Sequence, residues 1–288
     1  MIDSIYIRSA YAKPGKSIIW ESSNRENRKG RIFRYGKLEN LDVKQDLDGR
    51  LSIAGSIPKY FKGSNLETLS REELITALDK LTKEAGIEPE FTRVFRMEVA
   101  VSVPMPRTAI QYMSVLGDRP RFEKCTFSNG VMYRGYSKSL SFYDKGHEAK
   151  SQENRLRIGL KLKNRLKKEL GFPVFLMDLY NLDFLKAIVQ LLVKEYNKVG
   201  KIKRQVLEAP TGTKDLSRQL NRIAIECLGG EEVLLRFLSK SEMGSQARSR
   251  CKQMVRTLCR NGNLESDQLL IQEMDEEFQL AVEQALSS

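Results

Sequence analysis

Histidine is almost missing from this chain. His147 is the only one in 288 residues, so a metal site built on paired imidazoles is excluded. Cysteine is scarce too. Cys125, Cys227, Cys251 and Cys259 include no CxxC pair, a poor basis for zinc and more in keeping with free thiols in a reducing compartment. No apolar run reaches the roughly 18 residues that a membrane span requires. The opening MIDSIYIRSA lacks the basic-then-apolar pattern of a signal peptide and reads as a strand that begins the fold. Acidic charge is in deficit, with 37 Asp and Glu against 49 Lys and Arg, a net charge of +12. Such an excess favours polyanionic partners, nucleic acid above all.

That excess is uneven. Residues 151–210 carry 13 basic and 6 acidic side chains, whereas residues 211–288 carry 10 and 12. The final ESDQLLIQEMDEEFQLAVEQALSS reads as an amphipathic helix with a solvated acidic face, not as a DNA contact. A basic stretch with helical spacing, Arg248, Arg250, Lys252 and Arg256, follows a short turn at Gly244. It suits either a helix-turn-helix on duplex DNA or an ordinary packed helix.

Short alternating segments dominate the first part. IDSIYIRS, RIFRYG, RLSIAGS, FTRVFRMEVAVSV, RFEKCTF, GVMYRGY, KSLSFYD and RLRIGLKLK all predict strands. SREELITALDKLTKEAG predicts a helix with a Ser70/Glu73 capping box and a stop at Gly86. GSIPKYFKGSN is read as a loop or short turn. From about Asn164 the spacing becomes helical. The expected plan is therefore α+β, with a central antiparallel sheet and flanking helices over residues 1–170, then an all-helical domain over residues 171–288.

Alternation gives three of these strands one polar face each. In FRMEVAVSV that face carries Arg96, Glu98, Ala100 and Ser102. In SLSFYD it carries Ser139, Ser141 and Tyr143, and in RLRIGLKLK it carries Arg155, Arg157, Gly159, Lys161 and Lys163. In one sheet these faces would merge into a surface holding a carboxylate, a phenol and several cations. Phosphodiester chemistry uses such a set: a tyrosine oxygen to attack phosphorus, carboxylates to hold a hard cation, and arginine and lysine for the backbone. A half-exposed sheet shows the same alternation, so a solvated face and a reactive site both remain open at this point. Lys59 and Lys62, interleaved with Tyr60 and Phe61, could neutralise and stack a single strand or could be half-buried loop residues.

Over roughly residues 1–180 the sequence resembles the filamentous-phage gene II replication proteins, which are rolling-circle initiators. The similarity lies in MIDSIYIR, in RLSIAGSIPKYFKGSNL with its Pro-Lys-aromatic core, in RMEV at Arg96–Val99, in YDKGHE at Tyr143–Glu148, and in RIGLKLKNRLKKELGFPVFLMDLY. The resemblance implies a relaxase-like fold and an enzyme that nicks one strand at an origin, remains joined to the 5′ phosphate, and later reseals the displaced strand. It implies Tyr143 as nucleophile and Lys145 at the scissile phosphate or phenolate. Glu98 and Glu148 become ligands for magnesium or manganese, and His147 an optional ligand or proton shuttle. Single- and double-stranded origin DNA, a host helicase and a single-strand-binding protein are the implied partners, in the host bacterial cytoplasm. One position departs from the family. Gly159 stands where the family usually has a carboxylate, a loss that Asp144, Glu153 or water would have to make good. That departure motivates an alternative, an origin-binding regulator that does not cut. A basic nucleic-acid-binding protein unrelated to nicking is a third reading.

Overall fold

The computed structural model describes residues 1–26, 30–148, 153–163, 166–202, 212–227, 230–241, 243–260 and 265–287. Six strands open the chain: β1 (Ile2–Ser9), β2 (Ile19–Trp20), β3 (Arg25–Glu26), β4 (Ile32–Leu38), β5 (Leu41–Asp46) and β6 (Leu51–Ser56). Helices α1 (Ile57–Lys62) and α2 (Arg71–Ala85) follow, then the long β7 (Thr92–Pro104) and α3 (Ala109–Ser114). Next come β8 (Glu123–Phe127), β9 (Gly130–Arg134), β10 (Lys138–Asp144), the single turn α4 (Lys145–Glu148) and β11 (Arg155–Leu162). α5 (Leu166–Leu170), β12 (Val174–Phe175) and α6 (Leu182–Tyr196) complete this part. The remainder is helical: α7 (Thr213–Cys227), α8 (Gly230–Ser239), α9 (Ser245–Arg260) and α10 (Glu265–Ser287). No helix among the described residues is long and apolar enough to cross a membrane.

The strands form one antiparallel sheet in the order β2-β4-β5-β6-β1-β7-β11-β10-β9-β8, with β3 on β4 and β12 on β7. The architecture is thus α+β with a large antiparallel sheet and a helical C-terminal region. Alternation decides which side of the sheet is core. Ile5 and Ile7 of β1, Val43 of β5, Ile53 of β6 and Ile158 and Leu160 of β11 are all buried. Helix α6 packs on β7 and β11 through its own apolar stripe. Phe142 meets Tyr196 with ring centres 6.0 Å apart, and Tyr196 stacks on Phe278 of α10 at 4.1 Å.

Two local details follow from residue chemistry. α2 begins with the Ser70/Glu73 capping box and stops at Gly86, whose φ is 60°; a Cβ there would sit 1.8 Å from the Lys13 carbonyl oxygen. α1 replaces the loop expected at GSIPKYFKGSN. The Ser56 hydroxyl accepts from the Lys59 N–H, Pro58 lies in the first turn, and left-handed Gly63 ends the helix. The helix buries Tyr60, whose hydroxyl donates to Glu84 at 2.6 Å.

The chain divides into two compact units, residues 1–201 with 273–288, and residues 202–272. The boundary expected at 170/171 therefore falls inside the first unit, because β12 and α6 build on the sheet. The acidic face expected to be wholly solvated is partly engaged: Glu273 accepts from Tyr112 at 2.6 Å, and Asp275 accepts from the Tyr196 hydroxyl. In the second unit, Arg248 donates to the Ser241 and Met243 carbonyls at 2.8 Å each, so one expected basic contact is spent on the turn before α9.

Beneath α6 lies a buried charge network. Glu195, 1% exposed, is bonded to Arg119 and lies 3.2 Å from Lys138 and 2.9 Å from Lys198. Removing the carboxylate strands a buried guanidinium. Glu195→Ala should cost about 3–5 kcal/mol of stability in chemical denaturation.

Candidate active site

Cross-strand register assembles the site. Residues directly opposite in an antiparallel pair point to the same face. Lys161 of β11 lies opposite Glu98 of β7, Gly159 opposite Ala100, and Arg157 opposite Ser102. On the other side of β11, Gly159 lies opposite Ser141 and Arg157 opposite Tyr143 of β10. On the other side of β7, Glu98 lies opposite Ser4 of β1. The polar faces of the three strands therefore form one surface, with Tyr143 and Glu98 on it.

At Tyr143 the strand gives way to α4. The Asp144 carboxylate caps this turn by accepting from the His147 N–H at 2.9 Å, and the His147 side chain is exposed. Gly146 is required here, since a Cβ would lie 2.0 Å from the Glu153 carbonyl oxygen. The turn brings Lys145, fully buried, to 3.0 Å from the Glu148 carboxylate and its ammonium to 5.7 Å from the centre of the Tyr143 ring. Burial pushes the Tyr143 phenol above its ordinary value of 10. Asp3, Glu148 and Glu98 push in the same direction, while Arg157 opposes them. The two glutamates expected as partners of the tyrosine thus both act on its charge.

Arg157 was expected to face the DNA backbone. Instead it is fully buried: it pairs with Asp3 and donates to the Ser102 hydroxyl at 2.8 Å and the Asn65 carbonyl at 3.2 Å. The segment after α1 covers this end of the face, so this guanidinium organises the site from within. Glu98 is largely enclosed. It accepts from the Ser4 hydroxyl at 3.2 Å and faces Lys161 at 3.8 Å. Its carboxyl is pushed above 4.5, first by burial and then by Asp3. A Cβ on Gly159 would meet the Glu98 Oε1 at 3.1 Å, so the glycine leaves room for that carboxylate.

The remaining expected contacts are scattered. Arg155 pairs with Glu153 at 2.6 Å, and Lys163 donates to the Gly135 carbonyl at 3.0 Å. Arg96 is exposed, with its guanidinium 4.7 Å from the centre of the Tyr6 ring. Lys59 is exposed on α1, and Lys62 pairs with Glu73 at 2.7 Å. Tyr60, being buried, is not available for base stacking. Asn164 and Arg165 of the basic NRLKK stretch lie outside the described residues. Among the described residues no three His, Cys, Asp or Glu side chains gather as a metal cluster. Sequence reasoning missed Asp3, Ser4 and Asn65; Asp3 is the lone acidic residue of β1, which was the available signal for it.

No family model matches the chain, and no curated protein matches it. Among solved structures it is similar to the rolling circle replication initiator protein from Geobacillus stearothermophilus, with 11% sequence identity and a TM-score of 0.37. That match covers 78% of this chain and 94% of the other.

The Glu98 carboxyl binds its proton more tightly folded than unfolded. It therefore favours folding below its ordinary value, and that contribution is lost as pH rises through the raised one. Glu98→Gln removes the titration. Melting temperatures of variant and parent should diverge in the variant's favour as pH rises above the ordinary carboxyl value of 4.5; a constant difference would show that Glu98 is not perturbed.

Proposed function

We propose that this protein initiates rolling-circle DNA replication by nicking one strand at an origin through Tyr143. The observation that carries the reading is the half-buried Tyr143 on the sheet face it shares with Glu98, with the Lys145 ammonium 5.7 Å from its ring centre and Glu148 bonded to that lysine on the turn that follows. In the proposed reaction the Tyr143 oxygen bonds to phosphorus and the bond from phosphorus to the 3′ oxygen breaks. A 5′-phosphotyrosyl link and a 3′ hydroxyl result. The phenol gives up one proton and the departing oxygen takes one, so the step is proton-neutral. Attack by a 3′ hydroxyl on the same link reverses these bonds and closes the displaced strand.

At neutral pH the phenol is protonated, so attack requires a base, and Glu148 is the more accessible of the two glutamates. Glu98 and Glu148 would hold magnesium or manganese, which when bound polarises a phosphate oxygen. Lys145 would offset charge at the phenolate. Lys161, Lys163, Arg96 and Arg155, with Lys59 and Lys62 of α1, would engage the DNA backbone. A host helicase and a single-strand-binding protein would be its partners, in the bacterial cytoplasm.

A second reading is origin binding without cutting. One observation favours it: each of the three carboxylates that act on the Tyr143 phenol already has a cation, Asp3 with Arg157, Glu98 with Lys161 at 3.8 Å, and Glu148 with Lys145 at 3.0 Å.

Incubation with supercoiled origin DNA and Mg²⁺ or Mn²⁺ should yield open circles and a protein–DNA adduct that survives denaturation. Tyr143→Phe should abolish both, and an adduct that persists removes Tyr143 from the chemistry. Binding without cleavage in either metal, together with cleavage gained by Gly159→Glu, selects the second reading instead.

A further inference from the structure

The face that holds Tyr143 does not end at β1. Register carries it outward across the sheet. Arg96 of β7 lies opposite Tyr6 of β1, Tyr6 opposite Ala54 of β6, and Ala54 opposite Asp42 of β5. One row along, Arg93 lies opposite Arg8, Arg8 opposite Ser52, Ser52 opposite Lys44, and Lys44 opposite Tyr35 of β4. These side chains are exposed or half-buried, while Ile5, Ile7, Val43 and Ile53 on the other face are core.

Rings and cations are interleaved here in two ridges. At β1 and β7, the Arg8 guanidinium lies 5.3 Å from the Tyr6 ring centre and 5.0 Å from that of Phe95, and Arg93 lies 5.1 Å from Phe95. Phe95 reaches this side because the register slips there: Tyr6 pairs with Arg96, but Ile7 pairs with Val94. At β4 and β5, the Lys44 ammonium lies 3.4 Å from the Phe33 ring centre and 5.4 Å from that of Tyr35. Between the ridges β6 contributes only Ser52, Ala54 and Ser56, a strip of small residues. Among the described residues Arg8, Arg93, Arg96 and Lys44 have no carboxylate within ion-pair distance.

We infer that this open face, from β4 across β6 to β7, is a binding surface for single-stranded DNA. Unpaired bases stack on Tyr6, Phe95, Phe33 and Tyr35, and the phosphates meet Arg8, Arg93, Arg96 and Lys44. Rings set among unpaired cations suit a strand whose bases are free to stack; a duplex keeps its bases stacked on each other and offers the rings nothing. The inference rests on the DNA partner of the proposed function but not on cutting by Tyr143.

Fluorescence anisotropy with a labelled oligothymidine tests it. Tyr6→Ala and Phe95→Ala should each weaken binding about tenfold or more. Tyr6→Trp should retain it, and Arg8→Gln should reduce the slope of log affinity against log salt by about 0.7. Ultraviolet crosslinking of the unmodified protein to a bromouridine-substituted strand should label Tyr6 or Phe95, a readout independent of how the variants fold. Full binding by a Tyr6→Ala/Phe95→Ala variant that melts like the parent would overturn the inference. So would equal competition by duplex, tighter binding of oligouridine, or crosslinks confined to other strands. Unchanged oligothymidine binding in that double variant with Tyr143-dependent cleavage intact defeats this inference alone. Ring-dependent binding with no Tyr143-dependent adduct defeats the cutting reading alone.

Discussion

The guanidinium of Arg157 sits at the crossing of three chain segments that are far apart in sequence. It pairs with Asp3 on the first strand, donates to Ser102 on β7, and reaches the Asn65 carbonyl in the segment after α1. A buried guanidinium left unpaired costs several kcal/mol, so these partners must be placed together for the fold to form. Once they are, β1, β7 and β11 are locked in register and the covering segment is tied to the face. The same charge also opposes the burial that raises the Tyr143 phenol and the Glu98 carboxyl. Structure and electrostatics at the site thus share one origin.

From that centre the face divides into two regimes. Near Tyr143 the cations are matched by carboxylates in enclosed or half-enclosed pairs, and the floor is made of Ala100, Gly159 and Ser141. Farther out, Arg8, Arg93, Arg96 and Lys44 lie against aromatic rings. Matched charge holds geometry, because each ion has a fixed partner. Charge set on a ring keeps its capacity for an incoming anion, because the quadrupole attraction is weaker than a salt bridge. The sheet therefore places its most constrained chemistry at one end of a surface whose other end is adaptable.

Much of this was legible in the residues. Alternation located β7, β10 and β11 and assigned Glu98, Tyr143 and Gly159 to one face, because a period of two is a local property of the backbone. The capping box and glycine stop of α2 were legible for the same reason. The fate of Arg157 was not. Its alternation is that of Lys161, and only the non-local return of residues 64–70 buries one and not the other. α1 was misjudged because Pro58 and two flanking glycines look like loop punctuation, although Pro58 stands in a helix's first turn, where it is tolerated. The unit boundary was placed too early because helical spacing says nothing about whether a helix belongs to a sheet or to a bundle. Nor was the enclosure of Lys145 legible, since nothing local in YDKGHE sets it apart from an exposed turn lysine.

The aromatic seam under the sheet has a consequence for the order in which the molecule can be built. Phe142 and Tyr196 are made early, but Phe278, which stacks on Tyr196, comes only after all of residues 202–272. A ribosome adds about 5–20 residues per second, so the sheet waits for several seconds with that seam open. Final closure of the first unit is thus timed by the synthesis of the second, and the nascent chain passes through a stage in which an apolar groove on its sheet has no cover.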